Sequence, residues 1–264
     1  MPRFDANYVP KSVMTIFAHP DDAEFGVSGT LAKWAQAGSQ ITLVLCTSGN
    51  VGTHDHKYTP ASLAGTREKE QKAAAKVLGV KTVVFLRHDD CQLQPTLDLR
   101  RELVREIRKH KPEVVVSGDP GGWLYGNEYI NHPDHRAAAA AALEAVFPCA
   151  EMALLWPEEG KPHKVGAVYI TMTESADIWI DIADTIDLKI ESLKAHASQM
   201  EDWDPADMIR EWAAETAKDG RKKMKAKKSA DGKKDKKKAK KRKMKYAESF
   251  RVMVLEREDK PPES

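Results

Sequence analysis

Two short loops concentrate the residues able to do chemistry. Ala18-His19-Pro20-Asp21-Asp22-Ala23-Glu24 follows a buried-type apolar run, and Asn131-His132-Pro133-Asp134-His135 lies downstream of another. Together they offer three histidines and three aspartates on proline-stiffened segments. Two histidines and one carboxylate form a common catalytic zinc set that leaves a position open for water. Such a metal brings the pKa of its water down to about 7. A carboxylate beside that water can act as general base, and a further histidine can stabilise an oxyanion or protonate a leaving amine. The inventory matches hydrolysis of an amide or a similar acyl bond. Either loop alone is an ordinary turn; their coincidence at corresponding strand ends carries the reading.

The elements that must position these loops follow from hydrophobic patterning. Val13–Ala18, Ile41–Cys46, Val83–Leu86 and Val114–Val116 are continuous apolar runs, which read as strands covered on both faces. Between and after them, Gly26–Ala37, Leu63–Leu78, Leu97–Lys109 and His135–Phe147 read as helices. Strands alternating with helices predict an α/β fold, Rossmann-like and doubly wound, with a mainly parallel sheet. In such sheets ligands bind outside the carboxyl ends of the strands, so both loops should emerge on one edge. Beyond Pro148 the rhythm changes. Val165–Thr171 and Ile178–Ile182 read as strands, Ile186–Met200 as a helix, and Tyr246–Leu255 as a final extended segment, an added C-terminal layer on a single domain spanning 1–264.

Charge is distributed unevenly. Lys218–Lys245 carries 17 Lys and Arg against 3 Asp, a net +14, while the whole chain sums to only +2. The body is therefore acidic. Residues 219–245 have almost no large apolar side chains and predict a disordered or partly helical surface insertion. No stretch approaches the roughly 20 apolar residues of a membrane span, which argues against a membrane protein. Met1-Pro2-Arg3-Phe4-Asp5 lacks the apolar core of a secretory signal. Three cysteines without a CxxC pair fit a reducing, cytoplasmic setting. The GxGxxG fingerprint is missing after the first strand, which counts against a dinucleotide cofactor.

The first loop, with Gly26 and Gly29-Thr30-Leu31 after it, resembles the opening motif of the PIG-L/LmbE-like N-deacetylases. His132-Pro133-Asp134-His135-Arg136 resembles their second motif. Thr66-Arg67-Glu68, Ala73-Ala74 through Leu78-Gly79-Val80, His196-Ala197-Ser198-Gln199 and Ala247-Glu248-Ser249-Phe250-Arg251 are similar to further family landmarks. The resemblance implies a zinc-dependent hydrolase removing acyl groups from amino sugars or their conjugates, with Fe2+ as the alternative metal. It implies His19, Asp22 and His135 as metal ligands and Asp21 as general base. His132 would stabilise the oxyanion or act as acid, with Asp134 orienting a histidine. Arg67 would contact substrate oxygens. Homo-oligomers are also implied.

One departure stands out. The family usually has Asp-Gly after the third strand, where the aspartate meets substrate hydroxyls; here Asp90 is followed by Cys91. Asp89-Asp90 also reads as a solvated turn. Gly121–Gly126 reads as a lip over the site, His54 and His56 as surface histidines near the same edge, and the six tryptophans as packing residues, with Trp123 the one candidate for a sugar platform.

The expected activity is N-deacetylation of an N-acetylated amino sugar or N-acetylglucosamine conjugate. An amidase of a thiol–sugar conjugate would use the same metal residues. A nucleic-acid-binding protein is the rival from another class, and the Lys-rich run, lacking interleaved aromatics, supports accessory phosphate contact at most. Filter binding over a salt series, with and without residues 219–245, should show only weak retention that salt abolishes. Tight, salt-resistant binding would favour the rival.

Overall fold

The computed structural model describes residues 4–200, 203–230 and 243–256. Its first half is built from the four apolar runs as parallel strands: β1 (Ser12–Phe17), β2 (Gln40–Thr47), β3 (Thr82–His88) and β4 (Val114–Ser117). Side chains of these strands alternate between two cores. Met14, Ile16, Val44, Cys46 and Val115 pack with Leu99, Leu103 and Ile107 of α4 (Leu97–His110) and with the alanines of α5 (Pro133–Glu144). Val13, Phe17, Leu43, Leu45 and Val116 pack with Leu31 and Trp34 of α2 (Ser28–Gln36) and Ala75 of α3 (Pro60–Val77). Both sheet faces are covered, which is why these strands read as unbroken apolar runs.

The sheet has seven strands in the order β3-β2-β1-β4-β7-β9-β8, with β7 (Ala167–Ile170), β8 (Ile178–Asp181) and β9 (Ala247–Val254) supplied by the second half. β7 pairs parallel with β4, whereas β9 runs antiparallel to both β7 and β8. The C-terminal part thus widens the same sheet and adds helices to it. β1 lies between β2 and β4, so the chain reverses its direction of winding at β1. The first loop leaves the carboxyl end of β1 and the second follows β4, both at that switch point.

Several boundaries differ from expectation. The helix expected over 26–37 is two, α1 (Asp22–Gly26) and α2, divided at Val27 with φ −141° and ψ 3°. The one expected over 186–200 is also two, α6 (Ile186–Lys194) and α7 (Ala197–Met200), parted where His196 is wholly buried. The expected lip, Gly121–Gly126, holds only the first strand of a small hairpin, β5 (Leu124–Tyr125), which pairs with β6 (Tyr129–Ile130) beyond it. α8 (Ala206–Ala230) runs into the basic segment, the first part of which is therefore helical. Its Ala217 and Gly220 are buried, and Gly220 lies so near Trp179 that a Cβ there would come within 2.5 Å of the indole. Lysine, arginine and alanine are strong helix formers, which explains the extension. Residues 231–242 of the expected insertion lie outside the described residues.

One polar contact ties the two halves together. Glu248 of β9 accepts hydrogen bonds from Gly29 N (3.0 Å) and Thr30 N (2.7 Å), capping α2, which has no side-chain cap of its own. Lys189 of α6 neutralises it at 2.7 Å and donates to Phe25 O at 2.8 Å. Glu248 and Lys189 are both buried. Glu248→Ala leaves a buried lysine and an uncapped helix and should cost about 3–5 kcal/mol, read as a lowered denaturant midpoint. Unchanged stability would mean the pair contributes nothing.

Candidate active site and metal centre

Asp22 is the hinge between the two loops. Its Oδ2 accepts from the backbone N–H of Ala18 (3.1 Å) and His19 (2.9 Å), while its Oδ1 lies 3.0 Å from His135 Nε2. His19 Nε2 lies 3.0 Å from Asp90 Oδ1 and 3.4 Å from Asp134 Oδ2. His132 is the N-cap of α5, its Nδ1 accepting from Asp134 N at 3.2 Å. The His19, His132 and His135 rings lie within 4.8–5.3 Å of one another. The expected ligands His19, Asp22 and His135, the expected acid His132, Asp134 and Asp90 therefore converge in one pocket.

The donor set fits a metal ion. One ligand atom from each of His19, Asp22 and His135 lies within 4.8 Å of the others. His135 Nδ1 lies 3.0 Å from Asn131 Oδ1, an acceptor, so Nδ1 carries a proton and Nε2 is the nitrogen turned to Asp22. Nε2 and the Asp22 carboxylate oxygen, 3.0 Å apart, share a cation between or beside them, a proton or a metal. Ligands in a tetrahedral zinc site stand roughly 3.3 Å apart for bond lengths near 2.0–2.1 Å. Electrostatics agree. Burial opposes charge on His19, yet Asp134, Asp90 and Asp22 raise its pKa to about 10. Burial also opposes charge on His135, and Asp22 overrides it upward. Burial would raise Asp22, but His135 and His19 hold it well below the usual carboxylate range. Such a cup attracts cations, protons or metal alike. His132 goes the other way, lowered by burial and by His19.

Asp21 occupies the left-handed region, φ 92°, which turns its carboxylate away from that of Asp22. Arg67, buried on α3, donates from Nη2 to Asp21 Oδ2 (3.0 Å) and Pro20 O (2.7 Å), and from Nη1 to Gly49 O (3.2 Å). Both terminal nitrogens are thus engaged by the protein, which makes Arg67 a holder of Asp21, whereas its Nε has no partner. Burial pushes Asp21 up to about 6 against the pull of Arg67. Asp90 likewise faces His19, and its Oδ2 accepts from Val51 N at 3.4 Å.

Two participants, Gln71 and Asn131, escape a reading of types and spacing. Gln71 accepts from Asp21 N (3.1 Å) and donates to Glu24 (2.9 Å), whose other oxygen faces buried His196 at 3.5 Å. Asn131 sits in the second motif, but nothing in its type marks it as the residue that orients His135. His54 and His56 are exposed and take no part, and Trp123, largely exposed, stacks under the Arg136 guanidinium at 3.7 Å. A cavity of about 750 Å³ opens beside Asp22 and His135, walled by Phe25, Tyr125, Tyr129, Met172 and Trp212. The hairpin contributes two of those walls, and Tyr125 Oη donates to Met172 O at 2.6 Å, which anchors it.

Comparison with known proteins follows the same residues. The family model described as PIG-L, GlcNAc-PI de-N-acetylase, matches residues 14–146, from β1 through both loops to the end of α5. The chain belongs to the PIG-L family. This PIG-L protein is 34% identical over 204 residues to a diacetylchitobiose deacetylase of Thermococcus kodakarensis, covering 74% of each chain. It is 29% identical to a probable N-acetyl-α-D-glucosaminyl L-malate deacetylase of Bacillus anthracis, over 72% of this chain and 81% of the relative. Among solved structures, N,N'-diacetylchitobiose deacetylase from Pyrococcus horikoshii superposes with a TM-score of 0.74 at 27% identity, over 95% of this chain and 88% of that one. A 4-carboxy-2-hydroxymuconate hydratase from Pseudomonas putida KT2440 shares the fold, with a TM-score of 0.70 at 22% identity over 95% and 99% of the two chains.

Asn131 supplies a test of the centre. Asn131→Leu removes the acceptor that sets the His135 tautomer and should weaken metal affinity about 10–100-fold, measured by competition with a chromogenic chelator. Unchanged affinity would show that His135 needs no such partner.

Proposed function

We propose that this PIG-L protein is a metal-dependent N-deacetylase acting on an N-acetylated amino sugar or a small N-acetylglucosamine conjugate. His19, Asp22 and His135 hold the metal, Zn2+ by preference, since two imidazoles and one carboxylate form a common catalytic zinc set. Fe2+ is the alternative for the same donors. The observation that carries the reading is the meeting of the two loops: Asp22 Oδ1 faces His135 Nε2 at 3.0 Å with Asp21 next to it under Arg67. The fold itself does not select a reaction, since a hydratase shares it.

When bound, the cation supplies Lewis acidity toward the amide carbonyl and acidifies the attacking water. The chain's own groups do the rest. Asp21 accepts the proton of that water at its carboxylate, while Arg67 and Gln71 keep it aimed. His132 Nε2 lies across the pocket and delivers a proton to the departing amine, with Asp134 beneath its ring. Asp90 supports His19. Acetate leaves with the water's oxygen, and the amine leaves with its proton.

The cavity beside Asp22 and His135 is of a size for a small-molecule substrate. Its aromatic walls can receive sugar faces or a larger acyl group, and the second possibility favours the thiol–sugar amidase as the second reading. Among the described residues no helix is long and apolar enough to cross a membrane. Cys46, Cys91 and Cys149 are free thiols, which supports a cytoplasmic setting. The exposed Leu124, Tyr129 and Ile130 of the hairpin give a homo-oligomer an apolar face to bury.

Acetate release from N-acetylhexosamine derivatives, run beside longer-chain N-acyl analogues, tests the reaction and separates the two readings. His135→Ala should lose most bound metal. Asp21→Asn should keep the metal while kcat falls about 10²-fold or more. Asp21→Asn losing metal while Asp22→Asn retains it would reverse the two assignments.

A further inference from the structure

Cys91 stands where the turn after β3 enters the pocket. Its backbone is left-handed, φ 66°, a conformation that glycine takes freely and a cysteine takes at a cost. Its N–H donates to Asp134 Oδ2 at 2.7 Å, and its Sγ lies 3.5 Å from His132 Nε2. The thiol is exposed, and His132 is partly exposed, so solvent ions reach both. One ligand atom from each of Asp90, Cys91 and His132 lies within 4.8 Å of the others. None of the three belongs to the His19, Asp22 and His135 set.

The spacing suits a soft divalent cation. With Zn–S near 2.3 Å and Zn–N near 2.0–2.1 Å, tetrahedral ligation puts sulfur and nitrogen about 3.5 Å apart. That is the separation already present between Cys91 and His132. A second observation points the same way. A metal on His132 Nε2 requires the ring proton on Nδ1, and that proton needs an acceptor. Asp134 Oδ1 is fully buried, has no hydrogen-bond partner, and lies 4.0 Å from His132 Nδ1. His132 Nδ1 here accepts from Asp134 N–H at 3.2 Å, so ligation through Nε2 moves the ring proton to Nδ1 and turns it from that N–H to Asp134 Oδ1. Asp90, with Oδ1 on His19, stands between the two ligand sets.

We propose that Asp90, Cys91 and His132 form a second binding site for a thiophilic divalent cation such as Zn2+ or Cd2+, and that filling it switches the enzyme off by capturing the His132 imidazole. The inhibitory half rests on the deacetylase reading; the binding half does not. Thiolate ligation selects Zn2+ and Cd2+ over Mg2+ and Ca2+.

The test begins with protein carrying one equivalent of zinc. Cd2+ is titrated in while dialysis counts bound metal and ultraviolet absorption follows the thiolate-to-cadmium charge-transfer band. Deacetylation is followed in parallel against added Zn2+. Cys91→Gly is the comparison, because glycine is at ease at that φ and the buried thiols Cys46 and Cys149 remain as controls. In the parent the band should grow with a second equivalent, and activity should fall about tenfold or more. In Cys91→Gly the band should be missing, and the inhibitory Zn2+ concentration should rise about tenfold or more. A band that grows without any second equivalent of bound metal would make Cys91 a ligand of the first site and overturn the proposal. So would a second equivalent that binds Cys91→Gly unchanged. A chain without deacetylase activity would still report the site through the band and the stoichiometry, so the two readings fail separately.

Discussion

A buried carboxylate with two different obligations organises this molecule. Asp22 turns one oxygen to the backbone of its own loop and the other to a histidine more than a hundred residues away. Taking a carboxylate out of water is costly unless it is hydrogen-bonded and paired, so the partners must be delivered with little tolerance. The delivery explains the local conformations nearby. The left-handed Asp21 points one acid toward Arg67 and the next into the pocket. His132 caps α5 so that His135, one turn on, faces inward. The turn at Cys91 sends its N–H to Asp134. With Asp22, Asp90 and Asp134 around three imidazoles, the balance of charge is negative, and cation binding is the natural way to relieve it.

Much of this arrangement was legible in the sequence, for identifiable reasons. β1 to β4 are continuous apolar runs because both their faces are covered, and short runs of that kind stand out without knowledge of the partners. The chemistry-bearing residues stood out because His and Asp are uncommon in such density beside prolines. Less visible was anything settled by distant contact. Gln71 looks like a polar helix residue until Asp21 and Glu24 come to either side of it. Arg67 reads as a substrate contact by family pattern, and only burial reveals that its terminal nitrogens already hold Asp21 and two carbonyls. The break at His196 could not be foreseen from helical periodicity, which carries no sign that this histidine faces Glu24 on another element at 3.5 Å. α8 extends past Lys218 because Gly220 lets it lie against Trp179, a contact between two elements distant in sequence.

The position of β9 has a consequence for the order in which the molecule can be completed. β9 is the last strand among the described residues yet lies between β7 and β8, and it follows the most basic segment. Until it arrives, β8 has no strand to pair with, Lys189 has no carboxylate, and the amino end of α2 is open. A chain emerging from the ribosome amino end first can assemble β1 to β4 and bring both catalytic loops together early. It cannot close the wall of the cavity formed by Ala247 to Ser249 until those residues, more than a hundred beyond the second loop, have been translated.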